Sequence, residues 1–123
     1  EEISAALNAQ NIPGLAFPVI QFPHKGKQWR STYVKVTDWN ALHPTELSLH
    51  MMALACSWNP QNPFKTATDS QRGLFNKHVG DERVLNLLLQ QGSRFPIQAL
   101  LRDWKAYCNR FKVEASRFHL YNA

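Results

Sequence analysis

At 123 residues, 44% of them hydrophobic and with four Trp and seven Phe, the chain is one domain, or part of one, able to bury a real core. No run of about 18 uncharged apolar residues occurs, which excludes a membrane-spanning helix within it, and the acidic, amphipathic opening EEISAALNAQ is unlike a signal peptide. The net charge of +5, from 14 Lys and Arg against 9 Asp and Glu, favours an acidic partner: nucleic acid, an anionic membrane face or an acidic peptide.

Residues 1–11 read as a helix with Ile3, Ala6, Leu7 and Gln10 on one side, broken by Ile12, Pro13 and Gly14. Because the chain opens on Glu rather than Met, it is expected to be a fragment or a processed product. Residues 15–22 (LAFPVIQF) are apolar but carry Pro18, which cannot donate to a sheet ladder, so they suit an edge strand or an extended packing segment. A polar turn over 23–28 follows, then the strongest strand signal, 30–36, alternating around Tyr33, Val34 and Val36. These two stretches make either a hairpin or an irregular extended arm.

Pro44 is placed to start a helix at its first position. Leu47, Met51, Leu54 and Trp58 then mark one face of that helix, which ends before Asn59 and Pro60. A loop over 59–68 is expected to tuck Phe64 back onto the core. Residues 69–91 read as two short antiparallel helices. Asp69 or Ser70 caps the first, and Gly80 ends it in a left-handed conformation. Asp81 caps the second, with Glu82 at its positive end. Val84, Leu85, Leu87, Leu88 and Leu89 make the second helix apolar on most sides, and Gly92 stops it. Ser93 can cap the last element. Ile97, Leu101, Trp104, Cys108, Phe111, Ala115 and Phe118 recur at spacings of four and three, predicting one helix from about Pro96 to beyond Phe118. The expected architecture is a single, mainly α, compact helical domain over residues 1–123 with an extended N-terminal arm or short β-hairpin.

Catalysis requires convergent groups. The sequence holds no Gly-rich phosphate loop, HExxH or GxSxG. The Asp81–Glu82 pair is explained by a helix N-terminus. Cys108 and His119, eleven residues apart on one helix, would be separated by about 16 Å. The five His lack ligand spacing, and Cys56 and Cys108 fall in apolar helical patterns, so they read as buried free thiols. A non-enzyme without metal or cofactor is therefore expected. Basic residues fall into three groups: Lys25, Lys27, Arg30 and Lys35 on the early turn and strand; Arg72, Lys77 and Arg83 on the helical pair; Arg94, Arg102, Lys105, Arg110, Lys112 and Arg117 on the last helix. Arg72, Lys77, Arg83, Arg102, Lys105 and Lys112 are the candidates for binding an anionic partner. Nucleic acid is the second choice of partner, although the helix opening at Asp81 starts acidic and is mostly leucine, unlike a groove-reading helix.

Several segments in order resemble the DotM/IcmP and TrbA family of type IVB secretion and conjugation proteins. They are LNAQ at 7–10, FPVI at 17–20, ALHPTEL at 41–47, ALACSW at 53–58, RGLFNKHVGDERVLNLLLQQ at 72–91 and FHLYNA at 118–123. Where that family has an Arg-rich helix, this chain has ELSLHMMALACSW, without Arg. The resemblance implies the cytoplasmic domain of an inner-membrane protein, anchored only through segments outside this chain. It implies a non-enzymatic docking subunit of a coupling complex, whose basic surface holds acidic substrate tails, a coupling ATPase, a relaxosome component or an adaptor. The alternative is a nucleic-acid-binding helical domain of a mobile-element protein.

Overall fold

A computed structural model describes residues 1–118 and is mainly α, as the helical periodicities predict. Its elements, in order, are α1 (Glu2–Asn8), β1 (Leu15–Ala16), β2 (Val19–His24), β3 (Lys27–Thr32), β4 (Lys35–Val36), α2 (Pro44–Trp58), α3 (Pro63–Thr66), α4 (Asp69–Val79), α5 (Glu82–Gln91) and α6 (Ile97–Ala115). Among the described residues no helix is long and apolar enough to cross a membrane.

The N-terminal arm is a hairpin. β2 and β3 pair antiparallel from Val19 with Thr32 to His24 with Lys27, while β1 pairs separately with β4. Lys25 and Gly26 both lie at positive φ, 51° and 72°. That turn geometry matches the twist of the flanking strands and lets β2 run through Pro23 and His24, where a polar turn was expected. In a two-stranded ribbon Pro23 can turn its missing donor outward. The expected strand over 30–36 is divided at Tyr33 and Val34, where the Tyr33 N–H donates to the Pro18 carbonyl at 2.9 Å.

Leu7, Ile12 and Phe17 form a small buried cluster with Leu15, Leu47 and Leu54 against it. Asn8 ties it together: its Nδ2 donates to the Phe17 carbonyl and its Oδ1 accepts the Phe17 N–H, each at 3.0 Å. The Ser4 hydroxyl donates to the same carbonyl. These bonds explain why the inward side of α1 carries Ser4 with Leu7, while Ile3, read on the same side as Leu7, is half-exposed.

The larger cluster joins Leu49 and Ala53 of α2 to Val84 and Leu88 of α5, Phe95, and Ile97 and Leu100 of α6. Pro44 starts α2 and Asn59 ends it as expected, but the buried face differs. The helix lies between two clusters, with Leu47 and Leu54 toward Phe17 and Leu49 and Ala53 toward α5 and α6. Met51 and Trp58, expected to complete a single inward stripe, are about half exposed.

The loop after α2 contains the one-turn α3, and Asn62 anchors it. The Asn62 Oδ1 accepts the Phe64 N–H at 2.9 Å, and its Nδ2 donates to the Leu88 carbonyl at 2.7 Å. Phe64 does pack inward, edge-on to Phe75 with ring centroids 5.6 Å apart. Asn62→Ala removes a helix cap and a link to α5 together, and should cost about 1–2 kcal/mol in urea unfolding. A loss below about 0.5 kcal/mol would mean that solvent satisfies these groups equally well.

Thr68, rather than Asp69 or Ser70, caps α4: its side chain accepts the Gln71 N–H while Gln71 bonds back to Thr68. Gly80 ends α4 at φ 76°, and Gly92 follows α5 at φ 55°. Val84, Leu85 and Leu88 bury the inner side of α5. Ser93 lies in a 3₁₀ turn (Gly92–Arg94) and makes no cap; Pro96 precedes α6 instead. The first half of α6 packs inward through Ile97 and Leu100, whereas Cys108 and Phe111, expected in the same stripe, are exposed. Both cysteines are free; Cys56 is half-buried, and Cys108 is not the buried thiol predicted. α6 ends at Ala115, followed by a single 3₁₀ turn to Phe118; the expected continuation, His119 and most of the 118–123 motif lie outside the described residues.

Candidate functional site

The corner between α4 and α5 faces the middle of α6 across an open cleft of about 960 Å³. Gly80 makes the corner tight, and Asp81 emerges from it as the cap of α5, accepting the Arg83 N–H at 3.0 Å. A single carboxylate then does three further things. It accepts the Arg83 guanidinium through Nε at 3.1 Å and a terminal nitrogen at 2.8 Å. It also accepts the Trp104 indole N–H at 2.9 Å, which joins the corner to α6. The Arg83 hydrogen bonds are the main cause that pushes the Asp81 carboxyl down to about 2; the Trp104 indole and the Arg83 backbone N–H act in the same sense, against desolvation.

Arg83 reaches a second carboxylate, Asp103, at 3.6 Å. Along α6, Asp103, Tyr107 and Arg110 follow at spacings of four and three, so one helical face presents all three to the cleft. Tyr107 is 63% exposed. Arg110 makes no ion pair among the described residues. The cleft therefore combines an indole pinned at its N–H, an open phenol ring, a guanidinium held by two carboxylates and an uncommitted guanidinium. Such a set suits a flat, polar, hydroxyl-bearing ligand with a negative group. It does not suit proton donation by Asp81, because a general acid at neutral pH needs a raised pKa.

A second polar group lies between α2 and α6. Glu46 and His50 are buried one turn apart, with Nε2 and Oε1 3.9 Å from each other, and the Gln98 amide donates to Glu46 at 3.4 Å. Burial pushes the His50 pKa down more than the Glu46 charge raises it, so the imidazole is held neutral. Its Nε2 has no hydrogen-bond partner. Among the described residues no group of three or more His, Cys, Asp or Glu is placed to hold a metal ion.

Of the six basic residues singled out in the sequence, only Arg83 lines the cleft. Arg72 is a structural clamp, donating to the Phe64 and Lys65 carbonyls at 3.3 and 2.8 Å and so fastening α3 to α4. Lys77 is exposed on α4, and Arg102, Lys105 and Lys112 are exposed on α6. In the sequence Trp104 reads as core alone and Tyr107 carries no signal by itself; the Asp103, Tyr107, Arg110 spacing is the available one.

A sequence model of one family, described as the C-terminal domain of the exo-β-N-acetylmuramidase NamZ, matches residues 1–121. No curated protein and no solved structure matches the chain. The match overturns the kinship with DotM/IcmP and TrbA. The segments that suggested it are local devices of this fold: 7–10 and 17–20 form the Asn8–Phe17 clamp, Pro44 starts a helix, and Gly80–Asp81 closes one helix and caps the next. The reading as a non-enzymatic docking subunit of a secretion or conjugation coupling complex falls with that kinship, because the matching family is one of glycosidases. The expectation of a non-enzyme is corrected on the same ground, and nothing in the match supports the nucleic-acid alternative. With 121 of 123 residues matched, the chain belongs to the NamZ C-terminal family.

Proposed function

We infer that this chain works as the C-terminal domain of an exo-β-N-acetylmuramidase, an enzyme that cleaves the β-glycosidic bond of a terminal N-acetylmuramic acid, and that its cleft holds that sugar. The single observation carrying this reading is the family match over residues 1–121. The geometry supports the cleft's part in it. A pyranose offers a flat face of C–H groups to an aromatic ring and a rim of hydroxyls to charged planar groups. Trp104 and Tyr107 supply rings, and Arg83 and Asp103 supply the rim. Glycosidases use one carboxyl as an acid and a second as a base or nucleophile. Asp81, ionised and engaged by Arg83 and Trp104, instead orders the cleft.

Titrating the chain with N-acetylmuramic acid should shift the NMR signals of Arg83, Trp104, Tyr107 and Arg110 and leave those of the β2–β3 hairpin unmoved. Because Tyr107 is mostly exposed, Tyr107→Ala should leave stability nearly unchanged. It should weaken binding about tenfold, the loss expected for one aromatic contact of roughly 1.4 kcal/mol. An unmoved spectrum at millimolar sugar would rule out the cleft as the site.

A further inference from the structure

Building on the sugar-holding role of the cleft, we propose that Arg110 reads the 3-O-lactyl carboxylate of N-acetylmuramic acid and so makes the cleft selective for that sugar over N-acetylglucosamine. The two sugars differ only in the lactyl ether, which adds the only charged group. Discrimination therefore needs a cation beside the ring-stacking surface that is free to form new bonds. Arg83 is not free: its guanidinium is already shared between Asp81 at 2.8 Å and Asp103 at 3.6 Å. Arg110 lines the same cleft and makes no ion pair among the described residues. It follows Tyr107 by three residues on α6, which puts the two side chains side by side on one face. A ring stacked on the phenol would thus present a substituent at its edge to the guanidinium. Planar guanidinium and carboxylate groups pair through two parallel hydrogen bonds, which gives direction as well as attraction.

The test compares binding of N-acetylmuramic acid, its lactyl amide and N-acetylglucosamine to the chain and to Arg110→Gln and Arg110→Lys. Wild type should bind the acid about tenfold more tightly than the other two ligands. Arg110→Gln should bind all three at the affinity wild type shows for N-acetylglucosamine, and Arg110→Lys should recover part of the preference. The uncharged lactyl amide tests the same point on unaltered protein. Equal affinity of wild type for all three would overturn the role of Arg110 while leaving the cleft as a sugar site. So would a preference that survives in Arg110→Gln. Failure of every ligand to bind would overturn the sugar site and the role of Arg110 together.

Discussion

Gly14→Ala should destabilise the chain by about 3 kcal/mol, near the top of the range for a point substitution. Gly14 lies at φ +74°, where an L side chain costs roughly 1–2 kcal/mol. The larger part comes from what surrounds it. A Cβ there would press into the Asp38 carbonyl oxygen, well inside contact distance, and would lie 3.0 Å from the Leu42 backbone nitrogen. Neither neighbour is a flexible side-chain end, so the backbone must move. Backbone movement there also strains the Thr37 N–H bond to the Gly14 carbonyl, 2.8 Å, and the adjoining pair of Leu15 with Val36. Gly26→Ala is the internal comparison. Gly26 has a similar φ of +72° with nothing within 4 Å of an added Cβ, so it should lose only about 1 kcal/mol. Urea unfolding of both variants separates torsional cost from steric cost. Equal losses would mean that the segment around Asp38 yields freely.

What the sequence revealed and what it concealed divide along the range of the interactions involved. Both ends of α2 and α5 and the close of α4 were legible because Pro44, Gly80, Asp81 and Gly92 act on their own backbone within a turn, whereas the cap of α4 is Thr68, one residue before the expected Asp69. The inward face of α2 was misread because a periodicity argument assumes one core. This helix has two, and Leu49 and Leu54 answer to different ones. The hairpin register was hidden because Lys25, unlike an Asn or Asp, gives little sign of adopting a positive φ. The second half of α6 repeats the apolar spacing of the first yet stays exposed, since spacing records which residues share a face and not whether anything covers it. The cleft was half-visible. The role of Asp81 as a cap could be read locally, but its bond to Trp104 spans 23 residues and exists only once α6 docks. The kinship inferred from motifs failed for a related reason. Caps, corners and clamps recur wherever backbones need them, so a handful of them in order does not identify a family, whereas a match along 121 residues does.

Asp81→Asn should cost about 2 kcal/mol at pH 6 and much less at pH 2.5. In the folded chain the carboxyl is pushed down to about 2 from an ordinary value of 3.8, chiefly by the Arg83 side chain. Its ionised form is thus favoured by folding. The sign follows: between pH 3.8 and 2 the unfolded chain binds more protons than the folded one, so stability falls as pH falls through that window. Above it the contribution is complete, and at the shift seen here it amounts to about 2 kcal/mol as an upper value, since the side chain keeps some contact with solvent. Asn keeps one oxygen, which can cap α5 where Oδ1 does, but its amide NH2 takes the place of Oδ2, so both the acceptor for the Trp104 indole and the charge that holds Arg83 are lost. The variant therefore lacks at every pH the charge that wild type loses only in acid. Other carboxylates titrate in the same range in both proteins, so the informative quantity is the difference in unfolding free energy between wild type and variant, measured in urea at several pH values. A difference that shrinks as pH falls from 4 to 2.5 assigns the stabilisation to the ionised Asp81–Arg83 pair. A constant difference would assign it to the lost indole bond instead, and Arg83 would then be free to leave Asp81 when the cleft is filled.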